Sequence, residues 1–221
     1  MKATQQLHEL GQSLWLDNIT RTLLDDGTLA RYIAENSITG LTSNPSIFDA
    51  AIGDGDAYDA GVHAKVLAGL SGEELFTELA LEDLRRAADL FRPIFDATDS
   101  VDGWVSMEVS PLLAADTAGS IAAAKQIHSQ AQRDNLFVKI PGTPEGIPAI
   151  EEAIFLGIPI NVTLLFSCAQ YVAVSEAYMR GIERRIAAGL GSRVGSVASL
   201  DRKSTRLNSS HSEISRMPSS A

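Results

Sequence analysis

Cysteine is almost absent from this 221-residue chain: Cys168 stands alone. No intrachain disulfide and no cysteine-based metal cluster can form, which fits a reducing compartment. Cys168 lies in an apolar stretch with no histidine near it in sequence, so a buried structural thiol is expected rather than a nucleophile. Basic residues are also scarce, 18 Lys and Arg against 28 Asp and Glu, for a formal charge of -10. That balance argues against a nucleic-acid surface, which needs clustered positive charge. It leaves small anionic substrates open, because these need only a local group of donors. Long hydrophobic runs are missing: the longest, around 147–155 and 158–166, are broken by Glu, Gly, Pro or Asn. Both fall well short of the roughly 20 residues of a membrane span. The opening residues 1–6 carry no apolar stretch of the secretory kind, and the cytoplasm is the expected compartment.

What is present is a soluble composition, 45% hydrophobic and 21% charged, with material for one sizeable core. Strand patterns at 13–17, 38–43, 103–109, 136–141, 158–163 and 194–200 alternate with helix patterns. The helices are expected over 25–36, 55–70, 71–95, 117–133, 144–156 and 167–190, with another opening at Asn44-Pro45-Ser46, where proline suits a first turn. This alternation predicts a parallel sheet covered by helices. Pattern alone leaves an open doubly wound sheet and a closed barrel both possible.

Several polar residues fall at the C-terminal ends of the expected strands: Asp17, Asn44, Glu108, Lys139, Asn161 and Thr163. That edge is where parallel α/β folds bind ligands. Lys139 lies among apolar neighbours in Phe137-Val138-Lys139-Ile140-Pro141, a costly place for an amine unless it is paired or neutral. Burial favours the neutral amine, which can attack a ketone. The plain alternative is an edge-strand lysine that discourages aggregation. Glu108 and Asp17 are candidates for proton transfer, or else solvated loop residues or helix caps. Asn44 and Asn161 can hold hydroxyls and Thr163 a water, while Asn44-Pro45-Ser46 is also ordinary turn chemistry.

The motifs Leu14-Trp15-Leu16-Asp17-Asn18, Gly40-Leu41-Thr42-Ser43-Asn44-Pro45-Ser46-Ile47-Phe48, the segment 136–146 and Ile160-Asn161-Val162-Thr163-Leu164-Leu165-Phe166-Ser167 resemble, in order, segments of the transaldolase family. The resemblance covers residues 1–200 and is closest to the long-form branch. It implies an α/β fold, a (β/α)8 barrel of the class I aldolase kind with about six of its eight strands present. It implies transfer of a dihydroxyacetone unit from a ketose phosphate such as sedoheptulose 7-phosphate to glyceraldehyde 3-phosphate, in the pentose phosphate pathway. Lys139 would form the Schiff base, Asp17 would handle the hydroxyl proton beside the breaking bond, and Glu108 with Thr163 would activate a water. Asn44 and Asn161 would orient the dihydroxyacetone unit, and Ser199 matches a substrate-contacting serine. No metal or organic cofactor is implied, and the partners are small sugar phosphates, neither nucleic acid nor membrane. Oligomeric state is left open. A related class I aldolase is the neighbouring alternative.

Residues 201–221 break the pattern with a serine-rich stretch that resembles a translated sequencing adapter, and are expected to be a non-native, disordered tail. A barrel ending at strand six would leave open edges. The 221-residue chain is on that reading expected to fold poorly and to be an inactive fragment of the enzyme.

Overall fold

The structure, a computed structural model, describes residues 1–200. The expected foreign tail at 201–221 lies outside the described residues. Six strands form one parallel sheet: β1 (Leu14–Asp17), β2 (Ile38–Thr42), β3 (Trp104–Glu108), β4 (Leu136–Pro141), β5 (Ile160–Leu165) and β6 (Ser196–Leu200). Their spatial order is their chain order. A doubly wound sheet reverses direction at a switch point, so this order selects the barrel arrangement, a half-barrel wrapped by helices. The helices are α1 (Ala3–Glu9), α2 (Arg21–Asp25), α3 (Thr28–Asn36), α4 (Pro45–Gly53), α5 (Asp59–Leu67), α6 (Gly72–Ala97), α7 (Thr117–Ala131), α8 (Gly146–Leu156) and α9 (Cys168–Ala187). No helix among them is long and apolar enough to cross a membrane.

Alternation along each strand separates two layers. Leu41, Val105, Met107, Val138, Ile140, Ile160 and Val162 pack in one cluster with Leu84, Ala87, Ala88 and Phe91 of α6, Ile127 of α7 and Ile150 and Ile154 of α8. Residues at the intervening positions face the concave side. There Trp104 stacks on Phe137 with ring centroids 3.9 Å apart, and Phe137 lies 6.2 Å from Trp15. Gly40 makes room for this aromatic layer, since a Cβ there would sit 2.6 Å from the Trp15 indole. Phe137 precedes Lys139 by one pleat, so the layer is the floor of whatever lies at the strand ends.

Four expectations change. The helix expected over 25–36 is α3 and starts only at Thr28, after Gly27 at φ +74, while α2 at Arg21–Asp25 precedes it as a separate helix that was not expected. The 55–70 helix is only Asp59–Leu67. The strand expected at 158–163 runs Ile160–Leu165: the Ile158 N–H closes the end of α8 on Ala153 O, and a bulge at Leu164, φ +58, carries the strand onward. Cys168, expected to be buried, is exposed. It opens α9, whose buried side is Val174, Ala177 and Gly181, and residue 168 falls off that face.

Candidate active site

Register places three of the candidate residues side by side. Glu108 on β3 is opposite Lys139 on β4, and Lys139 is opposite Asn161 on β5. Lys139 is 8% exposed, and its Nζ stands 3.3 Å from Glu108 Oε2. It also donates to the carbonyl oxygen of Ser43, at 2.7 Å, just beyond β2. The lysine is therefore buried, as its apolar neighbours suggest, but paired rather than isolated. Neighbouring strands lie about 4.8 Å apart, and β3 separates β4 from β2. The Lys139–Ser43 bond closes only because the sheet curves around the amine.

Thr163 is 7% exposed, and its hydroxyl donates to Glu108 Oε1 at 3.3 Å. Glu108 thus faces the amine with one carboxylate oxygen and a hydroxyl with the other. Asn161 is 3% exposed and its Oδ1 accepts the Ser199 hydroxyl at 2.9 Å. Its amide nitrogen is the group left to donate. Asn44 caps α4, its Oδ1 accepting the Ile47 N–H at 2.9 Å. The turn chemistry of Asn44-Pro45 is real, and it too leaves an amide nitrogen to donate. Asp17 ends β1, exposed, opposite Thr42, and none of its hydrogen bonds or ion pairs among the described residues reaches Lys139 or Glu108. The structure accordingly brings Lys139, Glu108 and Thr163 into contact, joins Asn161 to Ser199, and leaves Asp17 on the rim.

The sequence reading passed over a set of hydroxyls beside the amine. Ser43, 1% exposed, donates through Oγ to the Ser106 carbonyl at 2.8 Å, and Ser106 Oγ donates to Thr42 Oγ1 at 3.0 Å. Small hydroxylic residues closing a strand, as in Thr42-Ser43, were the available signal.

A second polar cluster lies behind the rim, where α2 leaves β1. Arg21 Nε is 3.0 Å from Asp83 Oδ1 and its Nη2 is 2.9 Å from Glu82 Oε2. The Tyr58 hydroxyl donates to Asp83 Oδ2 at 2.7 Å and accepts the Arg21 N–H at 3.0 Å. Burial works against the Arg21 cation, yet Asp83 and Glu82 outweigh it and hold its pKa above the ordinary value. Burial and the Asp83 carboxylate push the Tyr58 phenol well above its usual range. These bonds tie the connection after Asp17 and the connection after Asn44 to α6.

A groove of about 730 Å³ opens between α4, α6 and α7, with Glu108 on its wall and Lys139 absent from it. It adjoins the lysine site rather than forming it.

Fold and strand-end residues together define a parallel α/β barrel with its polar site at the C-terminal ends of the strands. The family described as Transaldolase/Fructose-6-phosphate aldolase matches residues 14–213, past the boundary at 200 drawn from sequence, and the chain belongs to that family. It is 43% identical over 195 residues to Transaldolase 2 of Nostoc punctiforme, covering 88% of this chain and 51% of that protein. It is 48% identical over 206 residues to the transaldolase of Thiobacillus denitrificans, covering 90% of this chain and 56% of the relative. For the Thermobifida fusca transaldolase the identity is 46% over 196 residues, with 88% and 53% covered. The chain spans about half the length of these curated relatives.

Proposed function

We propose that this chain carries the Schiff-base machinery of a transaldolase, which moves a dihydroxyacetone unit reversibly from sedoheptulose 7-phosphate to glyceraldehyde 3-phosphate, in the cytoplasm and in the pentose phosphate pathway. The observation that carries the reading is the buried Lys139 amine held 3.3 Å from the Glu108 carboxylate. A nucleophilic amine needs a neighbour that can take its proton, and Glu108 is that neighbour.

Lys139 attacks the ketone carbon. The carbinolamine then loses its oxygen as water, with protons moved by Glu108 through a water held at Thr163. The protonated iminium withdraws electrons from the adjoining carbon–carbon bond. As that bond breaks, Asp17 takes the proton of the hydroxyl on the departing aldehyde, and the electron pair stays on the lysine-bound fragment as an enamine. Asn44 and Asn161, each with an amide nitrogen to donate, hold the hydroxyls of the three-carbon fragment, with Ser199 fixing Asn161. The enamine adds to the second aldehyde, and hydrolysis frees Lys139. The iminium is itself the electron sink, so this sequence calls on no metal or organic cofactor.

Incubation of the 221-residue chain with sedoheptulose 7-phosphate and glyceraldehyde 3-phosphate should yield a six-carbon ketose phosphate, against the expectation of an inactive fragment. Release of free dihydroxyacetone without transfer would favour the aldolase reading, and neither product would favour the inactive fragment.

A further inference from the structure

The Lys139 amine has two partners, Ser43 O at 2.7 Å and Glu108 Oε2 at 3.3 Å. An ammonium can serve both, since it carries three donors. Condensation with a ketone expels the carbonyl oxygen as water together with two of those hydrogens. The protonated iminium keeps a single N–H, so one of the two contacts is given up.

The Ser43 carbonyl is the closer acceptor and the less mobile. Its residue is 1% exposed, its hydroxyl is bonded to the Ser106 carbonyl at 2.8 Å, and the next residue, Asn44, is committed to capping α4. The turn is thereby tied to β3 on one side and to a helix on the other. No backbone N–H of a turn or loop donates to this carbonyl among the described residues, and a buried carbonyl without a partner is costly. Glu108 is a side chain with rotatable bonds, and its other oxygen is engaged with Thr163.

We infer that Ser43 is a positioning residue whose main-chain carbonyl takes the one iminium N–H, which releases Glu108 from the nitrogen to move protons. The inference rests on the reading of Lys139 as the nucleophile. The Ser43 hydroxyl matters because it holds the carbonyl in place.

The test follows borohydride trapping of dihydroxyacetone on Lys139 of this chain over a range of ketone concentrations. Rates are taken per folded molecule, with the fluorescence of Trp15 and Trp104 measuring the folded fraction. Ser43→Ala should slow trapping at saturating ketone by about tenfold, since small misplacements of a reacting group cost that much or more. The half-saturating concentration should stay within about twofold, and Ser43→Thr, which keeps the hydroxyl, should recover most of the rate. The C=N stretch of the adduct formed with ¹³C-labelled dihydroxyacetone should shift in Ser43→Ala and hold its position in Glu108→Gln. Unchanged trapping in Ser43→Ala, equal slowing in Ser43→Thr, or a stretch that answers to Glu108 alone would overturn the inference. A parent chain that forms no adduct on Lys139 would instead remove the nucleophile reading, and this one with it.

Discussion

Thr163 on β5 donates its hydroxyl to Glu108 on β3 across the intervening strand β4, at 3.3 Å. Together with the Lys139–Ser43 bond, which spans β3 in the same way, this contact draws four consecutive strands around one amine. Glu108 sits at the centre of that arrangement, between nitrogen and hydroxyl.

Replacing Glu108 should therefore hurt the chemistry more than replacing Thr163. Glu108→Gln keeps the shape and removes the base, and should slow adduct formation on Lys139 by about 10²-fold or more. Thr163→Ala loses one long hydrogen bond and should cost about tenfold. Time courses of borohydride trapping measure both, and an unimpaired Glu108→Gln variant would contradict the role.

Asp83 is fully buried and serves both Arg21 and Tyr58. Removing one partner of such a pair strands the other charge, so Asp83→Ala should destabilise the fold by about 3 kcal/mol or more. The Lys65–Glu82 pair, at 2.7 Å, is more exposed, with Glu82 37% accessible, and Lys65→Met should cost under about 1 kcal/mol. Urea midpoints of the two variants compare these directly, and equal losses would show that the Arg21 cluster is not the stronger tie.

Leu164 is a non-glycine residue at φ +58, next to Thr163 in the bulge of β5. That conformation costs a branched side chain most. Leu164→Val should lose about 1–3 kcal/mol, while Leu164→Gly should stay within about 1 kcal/mol of the parent, strain relief offsetting added chain freedom. A valine variant as stable as the glycine one would place the bulge elsewhere.

Stability should fall on the acid side through Glu151 and His128. The hydrogen bond from Arg180 holds the Glu151 carboxyl below its ordinary value, with Arg184 adding to it. Its contribution is complete above the usual glutamate value, about pH 4.3, and is lost as pH falls below that through the depressed value. Burial lowers the His128 pKa, so its contribution is complete above about pH 6.5 and is likewise lost on acidification. Glu151→Gln should flatten the decline below about pH 4.3, and His128→Gln the decline beginning near pH 6.5. Unfolding midpoints across that range check both, and variants that keep the parent slope would contradict the assignment.

Much of this was written in local sequence. The run Leu136–Pro141 is the strand its apolar residues Phe137, Val138 and Ile140 imply, and Asn44-Pro45 opens α4 as its turn chemistry requires. Pattern could not separate barrel from open sheet, because strand order is a long-range property. The bulge at Leu164 carried no local sign, since leucine is an unusual residue at positive φ. Cys168 was misplaced because an apolar neighbourhood in sequence does not say which face of a helix a residue takes. The Arg21–Asp83 tie joins residues 62 apart, and no window along the chain contains both. For the site, the strand-end places of Lys139, Glu108 and Thr163, which the fold brings into contact, were legible, whereas Asp17, read with them, stays on the rim. The Ser43 carbonyl was not, because a backbone atom leaves no mark in residue type.

The most direct measurement is peptide mapping of the chain after incubation with fructose 6-phosphate and borohydride. A reduced three-carbon or six-carbon adduct on Lys139, absent from Lys2, Lys65, Lys125 and Lys203 and abolished in Lys139→Met, is the expected result. A chain that carries no adduct, or carries it equally on the other lysines, would contradict the assignment of Lys139 as the nucleophile.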